Sequence, residues 1–204
     1  MDKINMWEIE QGLKARGIGV ICGVDEAGRG PLAGPVCAAA VILPENLEIP
    51  GLNDSKKLTD KKRRELFPII KEQAVAYGIA FASEQEIDEL NILQATFLAM
   101  QRAIDQLEGK AEFALIDGNR EKDFGIPVMT VVKGDSRSAN IAAASILAKV
   151  TRDIYMEELA ETYPQYGFEI HKGYGTKAHY EALRQHGRCA AHRSSFLKKF
   201  YEQR

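Results

Sequence analysis

At 204 residues, 45% of them apolar, the chain has the material for one ordinary domain, 1–204, with at most a small appendage. No run approaches 18 uninterrupted apolar residues, and Asp2, Lys3, Glu8, Glu10, Lys14 and Arg16 interrupt the N-terminus, so neither a membrane span nor a secretory signal is expected. The net charge of −2 argues weakly against a nucleic-acid partner, and three widely spaced cysteines (Cys22, Cys37, Cys189) with no C-x-x-C fit a reduced, cytoplasmic setting.

Ile18–Val24 and Val36–Leu43 are apolar, β-branched runs that read as an antiparallel strand pair, joined by the Gly/Pro-rich turn Asp25–Pro35. Thr59 then caps a charged helix to about Gln73, which Pro68 should kink or break. Ala74–Ala82 reads as a third strand, and Ser83 with Glu86 has capping-box spacing for a short helix. From Asn91 to about Leu107 the apolar residues recur at helical spacing, with Gly109 as the stop. Phe113–Ile116 and Pro127–Val132 are short strands ending at Asp117 and near Asp135, with a loop at 118–126 between them. Ala139–Leu159 reads as a long helix whose Ala142, Ala143, Ala144, Ser145 and Ala148 permit close packing. A loop over 163–175 and helices at Thr176–His186 and Ser195–Glu202 complete the chain. This order predicts a mixed α/β sheet with a helical C-terminal extension, about 163–204.

Acids recur at three strand ends: Asp25-Glu26, Asp117 and Asp135. Neighbouring strand residues face opposite ways, so Asp25 and Glu26 need a bend, or one backbone carbonyl as a ligand, to serve one cation. If the strand ends lie side by side, four carboxylates meet, and divalent cations relieve their repulsion. Oxygen-only donors favour Mg²⁺ or Mn²⁺, and no Cys/His set has zinc spacing. Asp117-Gly118-Asn119 and Gly134-Asp135-Ser136 are equally good turn sequences, and Asp135 has a helix N-cap as its plainer role.

Gly28-Arg29-Gly30 sets a guanidinium between two glycines, a combination able to grip a phosphate or sugar hydroxyl. It is neither a Walker A loop nor a G-x-G-x-x-G fingerprint. Asn53-Asp54-Ser55-Lys56-Lys57 and His171-Lys172-Gly173-Tyr174-Gly175 add two clusters of donors, the second with an aromatic ring that can stack on a base or sugar. From His171 onward eight Lys/Arg face two acids, a net +6 that leaves −8 for the preceding residues. That asymmetry describes a polyanion-binding surface or, equally, a solvated basic helix. His171 reads as a packing residue.

Several ordered motifs resemble one family over nearly the whole chain: G-V-D-E-A-G-R-G-P-L-A-G-P-V at 23–36, L-N-D-S-K-K-L at 52–58, I-D-G-N-R at 116–120, V-V-K-G-D at 131–135, I-A-A-A-S-I-L-A-K-V-T-R-D at 141–153 and H-K-G-Y-G-T at 171–176. The chain is similar to type 2 ribonuclease H (ribonuclease HII) of the bacterial kind. The stretch 188–191 departs from that pattern in lacking an expected proline, which bears on a C-terminal loop only.

The resemblance implies a ribonuclease H-like α/β fold, a five-stranded mixed sheet flanked by helices. It implies that Asp25, Glu26, Asp117 and Asp135 hold two Mg²⁺ or Mn²⁺ ions roughly 4 Å apart. Gly28, Arg29 and Gly30 would sense the ribose 2′-hydroxyl, and Tyr174 would pack against the next sugar. The implied activity cuts the RNA strand of RNA–DNA hybrids, and 5′ of a single ribonucleotide in duplex DNA, leaving a 3′-hydroxyl and a 5′-phosphate. Lys56 is expected to bind substrate, and Lys133, Lys172 and the tail cations to meet backbone phosphates. A monomer is the default expectation. Two other readings stay open: a metal-dependent nuclease of this fold acting on another substrate, such as a DNA junction, and a module that binds hybrids without cutting.

Overall fold

The structure, a computed structural model, describes residues 5–52 and 58–202. Its centre is a five-stranded sheet built from β1 (Ile21–Ala27), β2 (Val36–Ile42), β3 (Ala76–Ala82), β4 (Phe113–Asp117) and β5 (Val128–Val131), in the order β3-β2-β1-β4-β5. β1 and β3 run antiparallel to β2, whereas β4 runs parallel to both β1 and β5. The expected mixed sheet is therefore present. β1 extends further than its apolar run predicts, through Asp25 and Glu26, because the ladder to β2 continues to the Ala27–Cys37 pair.

β2 (Val-Cys-Ala-Ala-Ala-Val-Ile) is buried along its whole length, and the period of two explains why. Val36, Ala38, Ala40 and Ile42 face one cluster, which includes Phe97, Met100 and Ile104 of helix α4 (Ile92–Asp105). Cys37, Ala39 and Val41 face another, with Ala143, Ile146 and Leu147 of α5 (Ala139–Thr162). Small β2 residues let two helices approach one strand from opposite sides. Truncating a large member such as Leu147 would cost about 2–5 kcal/mol, through lost transfer free energy and the cavity left behind.

α5 is capped by Ser138, whose hydroxyl accepts from the Ile141 amide at 3.2 Å. Its Ala-rich N-terminal half is buried, as close packing requires. Gly23 of β1 lies so near the Asn140–Ile141 backbone that a Cβ there would collide with it.

Other elements refine the chain-order reading. α1 (Glu8–Lys14) is not predicted by the apolar pattern. α2 (Asp60–Gln73) runs unbroken through Pro68, with Leu66 and Ile70 buried on either side of it to offset the missing hydrogen bond. α3 (Glu84–Leu90) carries the full Ser83–Glu86 capping box. The 163–175 segment holds a 3₁₀ turn at Pro164–Tyr166 and one helical turn, α6 (Phe168–His171). α7 (Lys177–His186) and α8 (Ser194–Glu202) follow.

This C-terminal part packs on residues that follow β1. Leu32 and Ala33 share a cluster with Met156, Phe168, Leu183 and Leu197. Backbone bonds tie Leu32 to Gly173 and Arg193, and Gly34 to Ala191. Among the described residues no helix is long and apolar enough to cross a membrane.

Candidate active site

β1 and β4 are parallel neighbours, with Val24 opposite Ile116. The next pair in that register is Asp25 and Asp117, so two carboxylates stand at adjacent strand ends. Val24 and Ile116 pack in the α4-side cluster. Alternation therefore turns Asp25 and Asp117 to the α5 side. There Ser145 of α5 hydrogen-bonds Asp25, and the Gly134 amide donates to Asp117 Oδ1 at 2.6 Å. Asp135 follows Gly134 in a 3₁₀ turn packed against α5 and is buried. It does not cap the next helix, since Ser138 does. Glu26 lies on the other pleat of β1 and is partly exposed.

Asp25 is 4% exposed. Burial, then the charges of Glu26 and Asp117, push its carboxyl well above the usual range, while bonds from Ser145 and the Glu26 amide oppose that rise. Such a site favours a cation, and every donor in it is oxygen. Among the described residues no three His, Cys, Asp or Glu side chains close into one metal cage. That sparse set fits Mg²⁺, which is commonly held by one or two carboxylates with water and substrate oxygens completing the shell.

The Gly28-Arg29-Gly30 loop adjoins these acids. Arg29 Nη1 lies 3.3 Å from Glu26 Oε1, and its side chain is half exposed, so a ligand can displace this weak pair. Gly28 has φ +94°, and a Cβ there would overlap the Arg152 side chain. Arg193, fully buried, donates to Gly28 O at 2.6 Å, Arg29 O at 2.9 Å and Gly34 O at 2.9 Å. A planar trans peptide points its N–H away from its carbonyl. With the carbonyls of Gly28 and Arg29 turned to Arg193, the amides of Arg29 and Gly30 face the opposite way. Arg152, equally buried, donates to Ala33 O, Pro35 O and Lys172 O at 3.1, 2.9 and 3.0 Å, joining this loop to the 171–175 loop. Burial disfavours both charges, and the buried carboxylate of Glu84 acts on both as a counter-charge.

Tyr174 is 45% exposed. A Cβ on Gly30 would lie 3.6 Å from its ring, so the two loops form one surface. Lys172 is otherwise engaged: its ammonium meets Glu157 Oε1 and Glu169 O, both at 2.7 Å. Lys56 lies outside the described residues. His171 is a packing residue, stacked on His179 with ring centroids 4.5 Å apart. Ser145, Arg152, Arg193 and Glu84 are absent from the motif-based set. Only Ser145 carries a local signal, a lone hydroxyl inside the small-residue run 142–148, whereas Glu84, Arg152 and Arg193 sit among other polar residues and spacing does not say what they hold.

A family model described as Ribonuclease HII matches residues 22–199. Ribonuclease HII of Shouchella clausii is 56% identical over 94% of this chain and 73% of its own length. That of Dechloromonas aromatica is 60% identical over 88% of this chain and 91% of its own. Among solved structures, ribonuclease H2 from Pyrococcus horikoshii OT3 superposes with a TM-score of 0.73 at 28% identity, covering 91% of this chain and 98% of that one. A match of this extent, on a chain whose strand-end acids adjoin a glycine–arginine loop, places the protein in the ribonuclease HII family, as a metal-dependent ribonuclease.

Proposed function

We propose that the protein is an endonuclease that hydrolyses the RNA strand of RNA–DNA hybrids and cuts 5′ of single ribonucleotides embedded in duplex DNA. The observation that carries this reading is the pair Asp25 and Asp117 at adjacent strand ends, beside a loop whose Arg29 and Gly30 amides face away from Arg193. Family membership supports it.

In this reading Asp25, Glu26, Asp117 and Asp135 hold Mg²⁺ or Mn²⁺. Bound there, the cations would neutralise charge at the phosphate and acidify a water. The Gly28-Arg29-Gly30 loop meets the 2′-hydroxyl, a group that both donates and accepts and that separates RNA from DNA. Tyr174 packs against the following sugar. Water oxygen bonds to phosphorus, the P–O3′ bond breaks and the 3′ oxygen takes a proton, leaving a 3′-hydroxyl and a 5′-phosphate. Lys56 is assigned to substrate binding, and Lys133, Lys172 and the tail cations to backbone phosphates, Lys172 by exchanging Glu157 for the ligand. We assign residues 1–204 to one catalytic domain acting as a monomer, with 163–204 its basic extension.

Three duplexes test this with Mg²⁺ or Mn²⁺: an RNA–DNA hybrid, an all-DNA duplex and DNA carrying one ribonucleotide. Cleavage of the first and third, with 3′-hydroxyl ends and an intact all-DNA control, is expected. Cutting of the all-DNA duplex, or no cleavage with any divalent ion, overturns the reading.

A further inference from the structure

Beneath the Tyr174 loop lies a chain of buried histidines whose proton positions the hydrogen bonds define. The Cys189 amide donates to His192 Nδ1 at 3.0 Å, and the Cys189 thiol sits 3.2 Å from the same nitrogen. His192 Nδ1 is therefore an acceptor, and its proton is on Nε2. That nitrogen lies 3.0 Å from His179 Nε2. Only one of two facing ring nitrogens can carry the shared proton, so His179 Nε2 accepts and its own proton is on Nδ1. His179 Nδ1 is 2.9 Å from the Tyr174 carbonyl, a pure acceptor. The tautomers agree along the whole path: Cys189 to His192 to His179 to Tyr174.

His179 is fully buried and His192 nearly so. Neither reaches the carboxylates or the exposed face of the Tyr174 ring. What they fix is the Tyr174 backbone. The same loop is held at Lys172 O by Arg152 and at Gly173 O by the Leu32 amide. The Tyr174 carbonyl also accepts from the Thr176 amide, and His179, which also acts on the Gly173 backbone, adds a bond to it from outside the loop that depends on a tautomer.

We infer that His179, with its tautomer set by His192, is a positioning residue that aims the Tyr174 ring at the substrate. This rests on the substrate-contact reading of Tyr174 above. It predicts an effect on KM through Tyr174 alone. Asn presents its amide nitrogen near the place of a histidine Nδ1, whereas Gln reaches the place of Nε2. His179→Asn retains the donor to Tyr174 O and His179→Gln loses it.

The test measures KM and kcat on DNA carrying one ribonucleotide for wild type, His179→Asn, His179→Gln, Tyr174→Ala and the double variant His179→Gln/Tyr174→Ala. The loss of one such bond should raise KM about five- to tenfold in His179→Gln, with kcat within about twofold. His179→Asn should stay within about twofold of wild type, and His179→Gln should add nothing to Tyr174→Ala. Multiplying effects in the double variant, or equal losses in the Asn and Gln variants, would overturn the inference while leaving the function intact. A Tyr174→Ala enzyme as good as wild type would instead remove the substrate role of Tyr174, and this inference with it. Nitrogen-15 NMR of the wild type gives a readout free of folding defects. Protons on His179 Nδ1 and His192 Nε2 are expected, and the reverse tautomers would refute the relay.

Discussion

Arg193 and Gly28 are 165 residues apart in sequence, yet the Arg193 guanidinium donates to the Gly28 carbonyl at 2.6 Å. The same group takes Arg29 O and Gly34 O, so one side chain from the C-terminal extension holds both ends of the loop after β1. Removing it strands buried carbonyls at about 1–3 kcal/mol each. Arg193→Ala should lower Tm by about 10 °C, given about 2–4 °C per kcal/mol for a chain this long. Arg193→Lys should recover only part of that, because one ammonium cannot match a planar fork that serves three acceptors. A melting temperature unchanged in Arg193→Ala would show that water replaces the fork at no cost.

Gly28 and Gly118 both adopt positive φ, +94° and +116°, but their surroundings differ. A Cβ at Gly28 would run into Arg152, whereas nothing lies within 4 Å of one at Gly118. Gly118→Ala therefore meets backbone strain alone, of order 1–3 kcal/mol. Gly28→Ala adds a displacement of the guanidinium that ties the two loops together. It should destabilise more than Gly118→Ala in denaturant melts and should raise KM as well. Equal losses from the two variants would mean that Arg152 moves aside freely.

The sheet was legible because its signals are local. Apolar runs, the Ser83 cap and the Gly/Pro turn each act within a few residues, and the strand assignments follow from them. The apolar run predicts an end of β1 at Val24, since Asp25 and Glu26 are poor strand residues, and the ladder to Ala39 and Ala38 overrides that preference. Pro68 predicts a kink or a break for a similar reason, and the helix continues through it with Leu66 and Ile70 buried. The acids and the glycine–arginine loop could be picked out by residue type. Arg152, Arg193 and the His179–His192 pair could not, because what they do depends on carbonyls and rings brought from 13 to 165 residues away.

Lys172 poses a direct question about charge. Its ammonium is 2.7 Å from Glu157, and Glu157 also binds Arg64 at 2.5 Å. If Lys172 leaves that pair for a backbone phosphate, Lys172→Ala should flatten the plot of log affinity against log salt by about one unit. Binding to a hybrid under non-cleaving conditions, measured across a salt series, reports this. An unchanged slope would confine Lys172 to the Glu157 contact.

The raised carboxyl of Asp25 has a consequence for metal-free stability. A group whose folded pKa lies above its unfolded value favours folding fully below that unfolded value, 3.8 here, and the benefit is lost as pH rises through the folded pKa. Near neutral pH, without divalent ions, the Asp25 carboxyl therefore opposes folding, because the unfolded chain accommodates its charge more easily. Asp25→Asn retains an acceptor oxygen and removes that charge, so Tm in chelator should rise. Mg²⁺ should produce the opposite ranking. At about 100 times its Kd it would add about 2.7 kcal/mol to the wild type and little to the variant. A variant less stable than wild type in chelator, or equally stabilised by Mg²⁺, would contradict this account of the carboxylates.

The His192 imidazole makes a pH prediction with the opposite sense. Burial first, then the neighbouring His179, bring its pKa down from 6.5 to about 4, with Arg188 and His171 adding to the effect. The Cys189 thiol beside it is held neutral by its own burial, and the ring of Tyr166 packs against it with centroids 4.8 Å apart. Protonating the ring also sets an N–H against the Cys189 amide proton, so the relay to Tyr174 is lost along with the neutral ring. Above pH 6.5 both folded and unfolded states carry a neutral imidazole, and the group contributes no pH dependence. Between 6.5 and about 4 only the unfolded chain takes up the proton, so stability should fall with acidification, by about 3 kcal/mol over the window. His192→Gln should flatten this part of the stability–pH curve. Urea melts from pH 7 to pH 4 on both proteins measure it, and parallel curves would place the acid sensitivity elsewhere.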